Sequence, residues 1–546
     1  MIRALDLDRR LLLKAGALGA GALAMPAGAA LAKTSGFTHN VASGEPGPDR
    51  MMLWTRYLPI GGGEARIEAE VSEDAGFARI VRGGTVSCGP ERDHTAKLVV
   101  EGLAPGRTYH YRFRAPDGSL SPVGRTRTLP DGQVRRFGIG IFSCANLPFG
   151  WFNAYAHAAG REDIDLMVHL GDYLYEYQAG SYPSSKLALA ERVIAPAHEL
   201  VALADYRARF AAYRSDPDLQ RLHQYFPMVM MWDDHESANN AWRDGAQNHQ
   251  DASEGAWAVR KAAAMRAYRE WLPVGEESWQ SYQIGDLATL FRPETRLIGR
   301  SMPIGLGTAL AQGGDVGAAL AAFRDGPWRD SSRTMLGLEQ EGWLAEGLAR
   351  SRRAGTRWQI LAQQVIMGEL SLSPKVAEWM LEKASPEGKQ TIALHLAASE
   401  AGLPINFDAW GGFPAARRRL LAASTGADAD LIVLSGDSHN GWAFDLDLDG
   451  MPAGVEFAGH SVSSPGYESA FPFIDPRDMA GDLVAHNRQL RWADTSRRGY
   501  LTIELTPERA TGEWLFMDTI RERSTILAGR HAMTVRAGAR RLTAET

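Results

Sequence analysis

Cysteine is almost missing from this chain: 546 residues contain two, Cys88 and Cys144. They could form one disulfide at most, which excludes a disulfide-stapled scaffold for a chain of this size. Cys144 closes an apolar run, where a metal ligand is wanted, so both thiols are expected to be free. Past the N-terminus no uninterrupted 18-residue apolar stretch occurs, and no membrane span is predicted. There is no long basic run and the net charge is −6, so nucleic acid is excluded as a principal partner. The sequence also has no internal repeat and no phosphate-cradling GxxxxGK[ST] loop. What remains is a long chain, 45% hydrophobic, able to bury large cores and expected to hold more than one domain.

Taken in order, Arg9-Arg10 opens an Ala/Gly/Leu-rich segment that reaches the small-residue site Ala30-Leu31-Ala32. A basic start, an apolar middle and an A-x-A end predict a secretory signal over residues 1–32, and the paired arginines resemble a twin-arginine signal. Residues 33–130 show short alternating runs such as Ala65–Ser72 and Thr108–Ala115, split by Gly, Pro and Asp turns. That pattern predicts a small antiparallel β-sandwich with Trp54, Tyr109, Tyr111 and Phe113 in its core. Thr128–Gly132 reads as a linker.

From 131 to 546 strand and helix patterns alternate. A helix-rich insertion is expected over Ser184–Leu222, then helices over Ala256–Trp271 and Glu339–Arg352. A strand is expected over Trp358–Val365. Phe407–Leu421 reads as a loop leading into a helix, and Leu431–Leu434 as a strand. Gly499–Leu505 and Gly512–Met517 read as paired strands, and the Gly-rich Gly305–Gly317 as a mobile loop. Ala528–Thr546 is compatible with a docked tail or a frayed end.

Four apolar runs in this region end in groups that packing does not ask for. They close at Ser143-Cys144, at Gly171-Asp172, at Asp233-Asp234-His235-Glu236 and at Gly436-Asp437-Ser438-His439. In α/β sheets chemistry collects past the carboxyl ends of strands. Each residue alone has a plain alternative: Asp172 as a helix cap, Cys144 as inert packing, Tyr175 as a packed aromatic. Three carboxylates and an imidazole closing Met228–Trp232 must be paired or ligating to be tolerated there. Aspartates alone suit magnesium or calcium; a phenolate and thiolate beside a histidine suggest iron. Both sets at one rim suggest two unlike metals bridged by Asp172, the arrangement that phosphate-ester hydrolysis uses.

The order Cys144, Gly171-Asp172-Tyr173-Leu174-Tyr175, Trp232–Glu236 and Gly436–His439 resembles the PhoD-type alkaline phosphatases, a branch of the calcineurin-like and purple-acid-phosphatase-like metallophosphoesterases. Val41–Pro46 with Leu53–Arg56 is similar to the opening of that family's N-terminal domain. Phe407–Pro414 is similar to its D-x-W-D-G-Y-P stretch, with Gly411 where an Asp is usual and Phe413 where a Tyr is usual.

The resemblance implies an Fn3/Ig-like N-terminal sandwich followed by a four-layer αββα metallophosphoesterase sandwich. It implies Fe3+ on Cys144, Asp172, Tyr175 and His439, and Ca2+ on Asp172, Asp234 and Asp437, with help from Gln363 or Gln364. His235 and Asp172 are the implied catalytic residues, His235 hydrogen-bonding the phosphoryl group or protonating the leaving oxygen. Asn239, Asn240 and Arg243, with Gln364, are candidate phosphate contacts or supports behind the ligating residues, Glu236 an orienting group, and His460 an ordinary loop histidine rather than part of the mouth. The implied activity is an exported, monomeric alkaline phosphatase acting on phosphomonoesters and diesters, including phospholipid or teichoic-acid-like diesters, through a metal-bound hydroxide, for phosphate scavenging in the periplasm or outside the cell. The alternatives are a phospholipase D-like phosphodiesterase and an inactive binding module on the same scaffold.

Overall fold

The computed structural model describes residues 35–311 and 313–544; the expected export signal lies outside them. Two large sheets form the centre. The ten-stranded sheet runs, edge to edge, through Leu542–Ala544, Leu527–Arg536, Arg509–Met517, Gly499–Leu505, Phe137–Phe142, Leu166–His169, Pro227–Met230, Gly36–Gly44, Arg50–Leu58 and Thr95–Glu101. The seven-stranded sheet runs through Gln280–Ile284, Ala288–Arg292, Trp358–Ala362, Leu431–Ser435, Met451–Ala458, Gly441–Leu448 and Leu490–Asp494.

Period-2 alternation divides their side chains between the layers. Ile139, Ile141, Val168 and Val229 of the first sheet meet Leu290, Ile360, Ile432 and Val455 of the second in one apolar layer. The other faces carry helices. Phe142, Met167 and Met228 pack under Leu203–Arg214, Pro217–Tyr225 and Trp257–Trp271. Leu361, Val433 and Phe444 pack under Leu338–Arg353, Pro374–Lys383 and Pro414–Gly426. The inner strands Phe137–Phe142, Leu166–His169, Pro227–Met230 and Leu431–Ser435 are buried along their whole length, as strands covered on both faces must be. This is the four-layer αββα arrangement.

The N-terminal sandwich is present, but it is not set apart. Its second sheet, of Ile80–Cys88, Ala65–Ser72, Thr108–Arg114 and Gly124–Arg127, stands alone. Its first sheet instead continues the ten-stranded one, because Gly36–Gly44 pairs in parallel with Pro227–Met230 at Ser43↔Pro227 and Gly44↔Met228. The approach depends on Gly44, where a Cβ would lie 2.2 Å from the Pro273 carbonyl and 2.9 Å from that of Met228. Tyr109, Tyr111 and Phe113 are in the sandwich core as expected. Trp54 is not. Met51 and Leu53 point into the sandwich, so Trp54, of opposite parity to both, faces the catalytic layers beside Trp271 and donates its indole N–H to the Glu270 carbonyl at 2.8 Å.

Other boundaries shift for local reasons. The insertion after Ser184 is helical only from Leu203, Pro196 interrupting what precedes. The Gly-rich stretch contains a helix, Leu306–Leu310, whose Leu306 packs with Leu320 and Phe323. The strand expected over Trp358–Val365 ends at Ala362, and the C-terminal segment is docked as strands Leu527–Arg536 and Leu542–Ala544. Cys88 and Cys144 are both free and buried. Among the described residues no helix is long and apolar enough to cross a membrane.

Candidate metal centre

Three neighbouring strands of the first sheet and one of the second release their chains at one rim. Four chemistry-bearing residues there hold left-handed backbone: Cys144 (φ 61), Asp172 (φ 54), Asp437 (φ 59) and His439 (φ 61). Non-glycine residues rarely adopt this region, at a cost of about 1–3 kcal/mol each, unless their surroundings fix them. The surroundings do so here. The Cys144 N–H donates to the Gly171 carbonyl (3.2 Å) and the Ala145 N–H to that of Asp172 (2.8 Å). Gly171 itself sits at φ 104, where a Cβ would lie 2.4 Å from that of Asp233, so the second and third loops interlock with no room for a side chain. The Glu236 carboxylate accepts the backbone N–H groups of Tyr173 (2.5 Å), Asp233 (2.7 Å) and Asp172 (3.2 Å). It orients its neighbours rather than facing the opening, as its place after His235 suggests.

The loops bring together three overlapping groups whose ligand atoms lie within 4.8 Å of one another: Cys144, Asp172 and His439; Asp172, Asp234 and His235; and Asp233, Asp234 and Asp437. Tyr175 joins the first group. Its hydroxyl donates to Asp172 Oδ2 (2.9 Å) and lies 3.2 Å from His439 Nε2 and 2.6 Å from Ser464 Oγ. His439 is held by its other nitrogen, Nδ1, which donates to the Pro465 carbonyl at 2.7 Å. Asp172 stands between the first two groups.

Burial is the largest influence on the ionisable groups here. Burial, reinforced by the Asp172 charge, pushes the Cys144 thiol and the Tyr175 phenol well above their usual ranges. Burial likewise raises the Asp172 carboxyl, helped by Asp234, Asp233 and Glu236 and only partly opposed by His235. Burial also lowers His439 to about 3, leaving a neutral imidazole free to ligate. For Asp234, burial is outweighed by His235, Arg296 and the Asn240 N–H at 2.7 Å, and its carboxyl is pulled down. Desolvation lifts Asp437 to about 6 despite Arg296. Asp172 Oδ1 is buried and has no hydrogen-bond partner. An orphaned carboxylate oxygen between two donor groups, beside a thiol, a phenol and an imidazole, fits a bridging cation ligand; these residues suit a mixed two-cation centre.

His235 is fixed by a residue that sequence reasoning missed. Its Nδ1 lies 2.7 Å from Glu176 Oε2, and the other Glu176 oxygen accepts from the Asn239 N–H (2.8 Å) and Asn248 Nδ2 (2.9 Å). Burial disfavours the imidazolium, but Asp234, Asp172 and Glu176 together hold its pKa well above the ordinary range. Arg296 was missed too, and Asp233, read only as one of the acids that close its strand, had been given no role. The wholly buried Arg296 reaches Asp233, Asp408 and Asp437. A signal existed for both charged residues. Glu176 lies inside an aromatic run, where a carboxylate demands a partner, and Arg296 follows Ala288–Arg292, one more strand ending at this side of the sheets.

Of the expected supporting residues, Asn239 and Asn240 act through their backbones, and Arg243 and the two glutamines turn elsewhere. Arg243 is exposed and bonded to Asp244; the arginine among the acids is Arg296. Asn240 serves Asp234 through its backbone, while its side chain and that of Asn239 donate to Gln247. Gln364 is committed to Thr295 and the Trp232 carbonyl, and Gln363 to Trp410 and Val365, so neither offers a ligand oxygen here. A Cβ on Gly411 would meet Pro404 at 2.8 Å. Phe413 lies under the guanidinium groups of Arg300 and Arg333, each 4.8 Å from its centroid. His460 is buried against the Leu515 carbonyl, away from the opening.

The fold is shared with a purple acid phosphatase from yellow lupin seeds, at TM-score 0.51 and 13% identity over 91% of this chain and 74% of that one. That defines the class of fold: two packed sheets with helices on both outer faces, as in that phosphatase. Residues 138–514 match the family of PhoD-like phosphatases, and residues 22–130 match the N-terminal domain of PhoD-like phosphatases. Alkaline phosphatase D of Bacillus subtilis (strain 168) is 31% identical over 518 residues, 90% of this chain and 80% of the relative. A solved PhoD structure superposes with TM-score 0.76 at 28% identity, covering 94% of this chain and 93% of that one. The chain belongs to the PhoD-like phosphatases and is a phosphoric ester hydrolase.

Proposed function

We propose that this protein hydrolyses phosphomonoesters, and phosphodiesters at the same centre, with ferric iron and calcium as its cations, outside the cytoplasm and in the service of phosphate supply. The observation that carries the reading is the unpartnered, buried Asp172 Oδ1 between two donor groups. Cys144, Asp172, Tyr175 and His439 would hold iron, since thiolate and phenolate are donors that calcium does not favour. Asp172, Asp234 and Asp437 would hold calcium. When bound, the pair supplies Lewis acidity toward the phosphoryl oxygens and lowers the pKa of water.

The chain's own part is to orient and to move a proton. With Nδ1 of His235 donated to Glu176, Nε2 is the nitrogen left for substrate. An imidazolium held there can donate a hydrogen bond to a phosphoryl oxygen and deliver its proton to the departing alkoxide. Glu176 fixes the ring plane and tautomer. The strained, interlocked loops keep the ligands in place without reorganisation, which is how preorganised sites lower a barrier. Export as a folded protein would follow from the Arg9-Arg10 signal, and would let metal be loaded first.

The test is elemental analysis of protein exported by its own signal, with a visible spectrum, since a thiolate or phenolate on ferric iron colours the sample. Turnover of an aryl phosphate monoester, a bis-aryl diester and phosphatidylcholine then ranks the substrates. Preference for phosphatidylcholine would favour a phospholipase D-like role. Full activity after a chelator has stripped the metal would overturn the reading.

A further inference from the structure

We propose that Arg296 is a resident counter-cation for the acid group Asp233, Asp234 and Asp437, a positioning residue that sets these carboxylates in place and keeps a divalent cation there exchangeable; the inference rests on reading the site as a two-cation centre.

The guanidinium is fully buried and every one of its nitrogens is turned to an acid. Nε meets Asp233 Oδ1 at 2.5 Å, and Nη2 meets Asp437 Oδ1 at 3.1 Å and lies 3.9 Å from Asp234 Oδ1. Nη1 meets Asp408 Oδ2 at 2.5 Å. Asp408 is anchored from outside, its Oδ1 and its carbonyl both accepting from Arg300 Nη2. The rigid fork of an arginine suits such a post. With no nitrogen left over and no exposed edge, Arg296 is not a substrate contact.

Three carboxylates whose oxygens lie within 4.8 Å repel strongly in a buried setting. One guanidinium among them offsets part of that repulsion, and its Nη2 faces Asp234 and Asp437, the two of the three that the proposed function gives to calcium. The Asp233 oxygen that Arg296 does not take, Oδ2, is buried without a partner, so the group keeps an unused donor. The same positive charge opposes an incoming cation. Arg296 therefore stabilises the empty group and weakens the filled one.

The opposite corner has no such device: no arginine or lysine is hydrogen-bonded to a side chain of Cys144, Asp172, Tyr175 or His439 among the described residues. Its partners are Ser464, Tyr182 and backbone groups. The asymmetry predicts a tightly kept cation on the thiol side and an exchangeable one on the acid side.

Calorimetric titration of calcium into the full-length, EGTA-treated protein tests this. Arg296→Met should bind calcium at least about tenfold more tightly, while its melting temperature without calcium falls. Arg296→Lys, which keeps the charge, should bind within about threefold of the parent. Asp408→Asn should bind more weakly, because Arg296 then gives its charge wholly to the inner acids. The last two variants decide the matter if Arg296→Met does not fold. Calcium affinity in Arg296→Met that is unchanged or lower, or affinity in Asp408→Asn that is unchanged or higher, would overturn the counter-cation role and leave the two-cation reading standing. A parent protein that binds no divalent cation would overturn both.

Discussion

On the side of Cys144, Tyr175 and His439, donors that burial keeps neutral surround a single carboxylate, Asp172, and among the described residues no arginine or lysine is hydrogen-bonded to the side chain of any of them. On the side of Asp233, Asp234 and Asp437 the donors are all carboxylates, and Arg296 is inserted among them. The two sides share a rim and meet through Asp172 and Asp234. The first corner must exchange protons for its cation, because the thiol and phenol stand well above their usual ranges. The second is mixed: Asp234 is held ionised, while burial raises Asp233 and Asp437 even beside Arg296. The proposed contrast between a retained and an exchangeable cation thus lies in one guanidinium rather than in the ligand count.

The comparison breaks most completely at Asp172. Asp172→Asn should lose metal on both sides and reduce turnover at least about a thousandfold, read by elemental analysis and steady-state kinetics; a near-normal rate would refute the bridge. Proton delivery should depend next on His235: His235→Asn should lower kcat by about 10²–10⁴-fold, and Glu176→Gln by about 10–100-fold. Both should retain metal, which separates them from Asp172→Asn. Cys144→Ser should sharpen the contrast between the sides, weakening iron retention more than calcium retention by elemental analysis. Equal loss of both would detach the thiol from iron.

The smallest effect tests the scaffold behind the rim. His39 and His169 are lowered to about 3 and His460 to about 4, each mainly by burial, and His223 is lowered well below its ordinary value for the same reason. A histidine whose folded pKa lies below its unfolded value of about 6.5 stabilises the fold above that value. The contribution is lost as pH falls from about 6.5 toward the folded values. Urea midpoints should therefore drop between pH 7 and pH 5, with proton uptake on unfolding. A flat profile would show these histidines to be less buried than they are placed.

Much of the centre was legible because ligands must end strands. Cys144, Asp172, Asp234, Asp437 and His439 each follow an apolar run whose burial on both faces leaves polar residues no reason to be there except partnership. The alternation of the sandwich strands, likewise, announced Tyr109, Tyr111 and Phe113. What was not legible depends on long-range approach. Arg296 is marked only by its place after a strand, and Arg243 follows the acids in sequence, so which one reaches them is decided by the approach of the two sheets. Asn240 reads as a side chain but acts through its backbone, and Trp54 reads as sandwich core until the sheet beneath it continues into the catalytic layers.

The amino-acid sequence by itself determined the donor types, their order and the class of chemistry, since thiol, phenol, imidazole and carboxylate each carry their preferences wherever they stand. Only the tertiary structure decided how those donors are shared and balanced. It set Asp172 between two groups, Glu176 behind His235 and Arg296 among the acids, and it tied the N-terminal sheet to the catalytic one at Gly44. Charge compensation and tautomer choice fall off within a few ångströms, and residues separated by more than a hundred positions come that close only when two sheets pack and their loops interlock.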